Sequence, residues 1–548
     1  MADNVLSELR SLADNAEKVQ NDLLLSIIKK NADTEYGRRL DFAHVESFDD
    51  YQMRAPLTDW EDYEDSIGRM MKGEKNVLTS DDIKYYCISS GTTDQPKYVP
   101  LTEEDIRIQK KYWIDGVGEC IDYFLRQRGE DTSKRIFSIS EFFMTNMDDG
   151  TMSGVRAGAP FRVMEREGDI DVSMYTAPKE VLFPEKLEDM LYMKLRFALA
   201  DPEVTAIHGI FVHKIVGLFD YMIKNWQALI NDIASGTVSP QFNIRDEWKR
   251  YLEEKLPPDR RRATDLQSIT VGDGSSLALK IWPKLKYVCV AGGSLFMQYM
   301  EPFRKYIGNL PLHYFVYATS ESNLGMSLKV NDDDAYYVLL PDAAVFEFIP
   351  TTGHMGRPLK AWELEKDGEY ELVVTTLSGL YRYAVQDIVR VVDSFGNMPV
   401  ISVCYRKNQV MNLVNENVTT RQLEAAARRL GELMGTKIAE YCVGGDSDSE
   451  GRLSYIMYIE TGMGRSNNDK KCSEIIDNIL KESSSGYKKA REEGRLNESR
   501  VVSLKRGSFR SYGACLAQQG YRMEQNKPLR IMTTEDQKQF FRKKAEQL

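Results

Sequence analysis

From Lys84 onward, short runs of β-branched and aromatic residues alternate with stretches of helical periodicity, and this alternation constrains the fold more than any other feature of the chain. KYYCIS is followed by a helical pattern around Glu103 to Arg126, and RIFSIS by another around Glu185 to Ala200. Strands separated by helix-length connections predict an α/β architecture with much of its sheet parallel. Further strands are expected at LKYVCVAGG (285–293), HYFVYATSE (313–321), AVFEFIP (344–350) and YELVVTT (370–376), several of them ending in Gly, Ser or Thr. In open α/β sheets the ligand crevice lies outside the carboxyl ends of the strands, so the chemistry is expected there.

Before this region, Val5, Leu9, Leu12, Ala16, Val19 and Leu23 recur at helical spacing and predict an amphipathic helix that ends near Gly37. After VRVVDSFGNMPVISVCYRKNQ (389–409) the pattern restarts: a helix at TRQLEAAARRLGELMG, two strands around GGDSDSEG, a charged helix and a last strand, RVVSLK. A chain of 548 residues exceeds a single typical domain. We therefore expect a large domain over 1–405 and a small α+β domain over 406–548, joined near Tyr405 to Asn408.

The charge balance narrows the function classes. A net charge of −11 and a pI near 5.3 speak against an extended nucleic-acid surface, which needs clustered Lys and Arg. The opening MADNVLSELRSLADN carries acidic residues where an export signal has a positive region, and no apolar run approaches the ~18 residues of a membrane span. The seven cysteines are scattered without a CxxC pair, and the five histidines show no HExxH spacing, so reduced thiols are expected and a transition-metal centre is not. Cys87 and Cys289, in apolar strand-like runs, read as buried thiols. The expected setting is the cytosol, with a monomer as the working form.

Three constellations sit at strand ends. In CISSGTTDQPKYVP, a strand runs into Ser89, Ser90, Gly91, Thr92 and Thr93, and a helix follows with Thr102 and Asp105 spaced as a capping box. Hydroxyls, backbone N–H groups and a nearby lysine suit anionic oxygens, although the spacing is not that of a P-loop and an ordinary Ser/Thr turn has the same composition. In Tyr317-Ala-Thr-Ser-Glu321, a glutamate after two hydroxyls offers a hard oxygen for Mg²⁺, or merely caps a helix. In GLYRYAVQDIVR, Asp387 is placed either to accept from ribose hydroxyls or to pair with Arg382 or Arg390.

Taken in order, these motifs resemble the acyl-adenylate-forming superfamily, and within it the Gretchen Hagen family of auxin-responsive acyl acid amido synthetases. SSGTTDQPK is similar to that family's phosphate motif, YATSE to its second nucleotide motif and LYRYAVQDIVRV to its third. APLTDWEDYEDSIGRMMKGE, IWPKLKYVCV, VLLPDAAVFEFIP and EQNKPLRI extend the resemblance over nearly the whole chain. It implies a large adenylate-forming domain of mixed sheets and flanking helices, with a small mobile α+β domain carrying a catalytic lysine.

The implied activity is activation of a small carboxylic acid with ATP and Mg²⁺, followed by transfer of the acyl group to an amino acid. Ser89, Ser90, Thr92 and Thr93 would hold ATP phosphates with the help of Ser320, and Glu321 would ligate Mg²⁺. Tyr317 belongs to the second motif, Tyr337 would contact the adenosine, Asp387 the ribose, and Lys527 would reach the α-phosphate and carboxylate oxygens. By position, Tyr112, Trp113 and Val117 are candidate walls for the acid. The chain departs from the family at Asp94-Gln95-Pro96, where relatives have a glycine, which leaves the role of Lys97 open. It departs again at Asn415-Glu-Asn-Val-Thr419, where relatives often have Asp-Lys-Thr. An acyl-CoA ligase of the phenylacetate type and a non-catalytic nucleotide-binding relative are the competing readings. Indole-acetic, jasmonic and benzoic types of acid all fit the sequence.

Overall fold

The alternation is present, and it builds several sheets. The computed structural model describes the chain except for residues 1–3, 90–96, 141, 148–149, 185–188, 293–296, 331–333, 352–355, 408–409, 412, 415, 417, 449–451, 462–468, 519–528 and 547–548. The chain divides into two compact units, Met1–Cys404 and Tyr405–Leu548.

Among the described residues, the first unit contains three sheets. One has four strands in the order Ile136–Ser138, Ala206–His208, Tyr287–Cys289, Leu312–His313, with all of these pairings parallel. Helices such as Met190–Ala200, between the first two strands, and Val212–Lys224, between the next two, supply the long connections that parallel pairing requires. A second four-stranded sheet runs in the order Lys97–Thr102, Ile83–Ser89, Met152–Gly154, Met144–Asn146.

The largest sheet has eight strands and corrects the expectation that much of the sheet is parallel. Its order is Leu359–Lys360, Ala344–Pro350, Glu369–Thr376, Tyr383–Phe395, Met398–Arg406, Tyr336–Leu339, Asn323–Met326, Val316–Ala318. Every pairing described in it is antiparallel. AVFEFIP lies against YELVVTT residue by residue, from Ala344 opposite Thr376 to Pro350 opposite Tyr370. The reason is connection length, because loops without a crossover helix allow only antiparallel neighbours, whereas a buried apolar run reads the same in either direction. HYFVYATSE is divided between sheets: Leu312–His313 ends the parallel one and Val316–Ala318 edges the antiparallel one, with Phe315 at φ 38° at the crossing.

The opening helix is two helices, Val5–Asp14 and Ala16–Lys30, broken at Asn15, and Gly37 lies in a third, Glu35–Arg39. The pattern from Glu103 is likewise compound. Glu103–Gln109 is α-helical behind a complete Thr102–Asp105 capping box, Lys110–Gly116 is a π-helical segment, and Val117–Gln127 resumes the α-helix. In the second unit, Thr420–Met434 packs with Asp469–Ser483 on a three-stranded sheet of Ile438–Ser447, Leu453–Thr461 and Arg500–Leu504. Two further helices that sequence periodicity missed, Ser508–Gln518 and Glu535–Glu546, lie beyond the last strand. This unit has its own apolar clusters, one around Leu423, Ile476 and Tyr487 and one around Tyr458 and Phe541.

All seven cysteines are free thiols, and Cys87, Cys120, Cys289, Cys442 and Cys472 are buried. Among the described residues no helix is long and apolar enough to cross a membrane.

Candidate active site

The strand Ile83–Ser89 delivers the first motif. It pairs antiparallel with Lys97–Thr102, Ser89 opposite Lys97, so the two strands bracket the loop between them. Ser90, Thr92 and Thr93, with Asp94, Gln95 and Pro96, lie outside the described residues, as does the side chain of Ser89. Lys97 is engaged elsewhere, its ammonium 5.3 Å from the centre of the Trp60 ring. Cys87, two residues before the end of the strand, is fully buried, and burial pushes its thiol up to about 12. Its polar neighbours are Arg156, Glu321 and Ser320, which places the end of this strand beside the second motif.

The second motif turns between the strands Val316–Ala318 and Asn323–Met326. The Glu321 N–H donates to Thr319 Oγ1, and the Ser320 carbonyl accepts from Arg156 Nη1 at 3.0 Å. Glu321 is only 7% exposed, and its Oε2 is buried without a hydrogen-bond partner. A lone buried carboxylate oxygen is costly to keep unless something binds it, and a hard anionic oxygen is the donor that Mg²⁺ takes, so the residue fits the metal implied for this position.

Arg156 was not visible to sequence reasoning. It is buried and stands 3.8 Å from the carboxylate of Asp105, which also accepts from the Thr102 backbone N–H and from Ser378 Oγ. Burial raises the Asp105 carboxyl while Arg156 pulls it back down. Arg156 thus ties the capped start of the helix after the first motif to the turn of the second.

The third motif divides its residues between scaffold and site. Arg382 does not pair with Asp387. Its guanidinium donates to both oxygens of the buried Glu347 at 2.9–3.2 Å and to the carbonyls of Gln52 and Ala55. Tyr381 donates to the Leu78 carbonyl at 2.7 Å, and its own carbonyl accepts from Thr58 and Tyr63. These side chains fix the strand, and a bulge then aims Asp387. Glu371 faces Ile388 while Val373 faces Ala384, so two extra residues are accommodated, with Gln386 at φ 66°. Asp387 Oδ2 accepts from the Tyr317 hydroxyl at 2.7 Å, and the Tyr317 ring lies 5.8 Å from that of Tyr337. Tyr317, Tyr337 and Asp387, on three strands of the eight-stranded sheet, are therefore brought together, and Ser320 and Glu321 follow in the turn that leaves the Tyr317 strand.

The proposed acid walls come from the π-helical segment and the turn after it. Tyr112 is fully buried and donates to Asp342 Oδ1 at 2.7 Å, and Lys111 holds the other oxygen at 2.9 Å. Trp113 is half-buried with its ring 6.2 Å from Phe315. Tyr112 and Val117 share a buried cluster with Phe315, Val316, Met326 and, from the first helix, Val5 and Leu9. A π-helical turn inserted in an α-helix is a frequent mark of a functional site.

Lys527 also lies outside the described residues. The segment after it is anchored: Arg530 donates to Glu440 and to the Tyr441 carbonyl, and the Val443 N–H donates to the Arg530 carbonyl, fixing the chain along the strand Ile438–Ser447. Glu416, in the stretch where relatives carry a lysine, is a buried pin that accepts from the Leu413 and Val414 N–H groups and the Tyr455 hydroxyl.

Comparison with known proteins matches three successive segments of the chain. The GH3 family N-terminal domain matches residues 5–312, its central domain 337–406 and its C-terminal domain 420–536. Indole-3-acetic acid-amido synthetase GH3.3 of Arabidopsis thaliana is 27% identical over 459 residues, covering 79% of this chain and 75% of that protein. Jasmonoyl--L-amino acid synthetase JAR6 of Nicotiana attenuata is 26% identical, covering 78% and 76%. The solved GH3.15 acyl acid amido synthetase shares the fold, with a TM-score of 0.84 at 22% identity over 98% of this chain and 95% of that one. The chain belongs to the GH3 family, the Gretchen Hagen group of acyl acid amido synthetases that its motifs resemble.

Proposed function

We propose that this protein activates a small carboxylic acid with ATP and passes the acyl group to the amine of an amino acid, and that it does so in the cytosol. The observation that carries the reading is the meeting of Tyr317, Tyr337 and Asp387 with Glu321 beside the strand that leads into the hydroxyl-rich loop. The seven free thiols support the compartment.

In the first half-reaction a carboxylate oxygen bonds to the α-phosphorus and the bond to the outer two phosphates breaks, releasing pyrophosphate. In the second, the amine lone pair attacks the acyl carbon, the carbon–oxygen bond to AMP breaks, and the nitrogen gives up its proton. Neither half needs a protein nucleophile. The protein contributes position and charge stabilisation, the kind of contribution that dominates phosphoryl transfer.

Asp387, which accepts from the Tyr317 hydroxyl, would accept from ribose hydroxyls, and the buried Tyr337 ring would lie against the base. Ser89, Ser90, Thr92, Thr93 and Ser320 supply donors to phosphate oxygens. Glu321 is the residue that would hold Mg²⁺, which when bound neutralises phosphate charge. Lys527 is assigned to the α-phosphate and carboxylate oxygens, and Trp113, Tyr112 and Val117 to the acid.

The test is pyrophosphate release over a panel of carboxylic acids, then mass spectrometry of products formed with mixed amino acids plus CoA. An acid–amino acid amide is expected. A thioester in its place makes the protein an acyl-CoA ligase, and no release with any acid makes it a non-catalytic relative. Lys527→Ala should abolish acid-dependent ATP–pyrophosphate exchange, and unchanged exchange removes Lys527 from the mechanism.

A further inference from the structure

Asn323 lies two residues past Glu321 and is 1% exposed, yet neither its side-chain oxygen nor its nitrogen has a hydrogen-bond partner. A buried amide with both atoms unpaired is among the most disfavoured arrangements in a folded chain, because each atom has lost its water without replacement. Its direction follows from the sheet register. Asn323 faces Ala318, Gly325 faces Tyr317 and Met326 faces Val316, so Leu324 is an extra residue in a bulge. Residues directly opposite in an antiparallel pair share a face, so Asn323 shares a face with Ala318, Val316 and Met326. Those three pack into the cluster that holds Trp113, Tyr112, Val117 and Phe315, while Tyr317, Leu324 and Tyr337 belong to the core on the other side. The bulge thus turns an unpaired amide onto the same face as the proposed acid walls.

Resting on the proposed acid-activating function, we infer that Asn323 selects the acid, and that the acid carries, away from its carboxylate, a hydroxyl or N–H group that pairs with this amide. An amide offers one acceptor and two donors, so a hydroxyl, which both donates and accepts, satisfies it better than any hydrocarbon surface. A site built around a hydrogen bond rejects the analogue that lacks the group far more strongly than an apolar pocket rejects a misfit, because rejection leaves the buried partner unpaired.

The experiment uses the full chain and pairs of acids that differ only in the polar group, such as phenylacetate against its three ring-hydroxylated forms and 1H-indene-3-acetate against indole-3-acetate. Acid-dependent pyrophosphate release gives kcat/KM for each, in the natural chain and in Asn323→Leu. The natural chain should favour at least one polar member by about 100-fold or more. Asn323→Leu should bring that ratio to within a few-fold, chiefly by losing the polar acid, with a thermal midpoint unchanged or raised. Asn323→Ala, which removes the amide and demands no space, should flatten the ratio in the same way and covers the case in which leucine does not fit. Equal use of both members by the natural chain, or a preference that survives both substitutions, overturns the inference and leaves the proposed function standing. Absence of pyrophosphate release with every acid overturns the proposed function itself, and this inference with it.

Discussion

Glu321 and Glu347 are both buried carboxylates of the first unit, and their surroundings divide their work. Glu347 is saturated by Arg382, whereas Glu321 keeps one oxygen unpaired. Arg382→Met should strand the Glu347 charge and lower the unfolding free energy by about 3–5 kcal/mol, read by denaturant titration. Glu321→Gln should leave stability within about 1 kcal/mol and lower kcat/KM for pyrophosphate release by about 10²-fold or more. His313 adds a pH dependence. Its Nδ1 accepts from the Phe315 N–H, so the proton sits on Nε2, which donates to the Ser327 carbonyl at 3.1 Å. Burial pushes this imidazole down to about 4 from the ordinary 6.5. As pH falls below 6.5 the unfolded chain takes up a proton that the folded one refuses until about 4. Stability should therefore fall by up to about 1.4 kcal/mol per pH unit over that window, and His313→Gln should remove this component of the slope.

At the scale of elements, two β-bulges and one π-helical segment position the site. The bulge at Gln386 aims Asp387 at Tyr317, the bulge at Leu324 re-aims Asn323, and the π-helical turns carry Tyr112 and Trp113. Gln386→Val places a β-branched side chain at φ 66° and should cost about 1–3 kcal/mol. It should also raise the KM for ATP, because Asp387 loses its aim. These irregular elements are what the sequence hid. Periodicity reports the prevailing repeat of a segment, so KYYCIS, AVFEFIP, YELVVTT and the Thr102–Asp105 cap were legible. Inserted residues, one at Leu324 and two around Gln386, alter the local pairing without changing composition, and they passed unseen. The motifs and the family resemblance pointed to Tyr317, Glu321, Tyr337 and Asp387; a hydrogen bond joins Tyr317 to Asp387, a ring contact joins Tyr317 to Tyr337, and Glu321 lies four residues past Tyr317. Arg156 and Asn323 belong to no motif, because their importance arises from partners, or missing partners, distant in sequence.

The whole molecule is two units, each with its own apolar clusters. Calorimetry should resolve two transitions. Tyr317, Glu321, Tyr337 and Asp387 all lie in Met1–Cys404, so a non-hydrolysable ATP analogue at about 100 times its Kd should stabilise the first unit by about 2.7 kcal/mol. The second transition should move far less, and a shift confined to it would place the nucleotide in the wrong unit.

The buried thiols acquire a use here that has nothing to do with catalysis. Cys87, Cys120 and Cys289 sit in the first unit and Cys442 and Cys472 in the second, all buried, and burial raises each of them away from the reactive thiolate form. Only Cys404 and Cys515 are partly open. An alkylating reagent added to the native protein therefore marks those two promptly and the other five only when their surroundings open, so the chain carries an internal clock of opening for each unit, readable peptide by peptide without a probe being introduced.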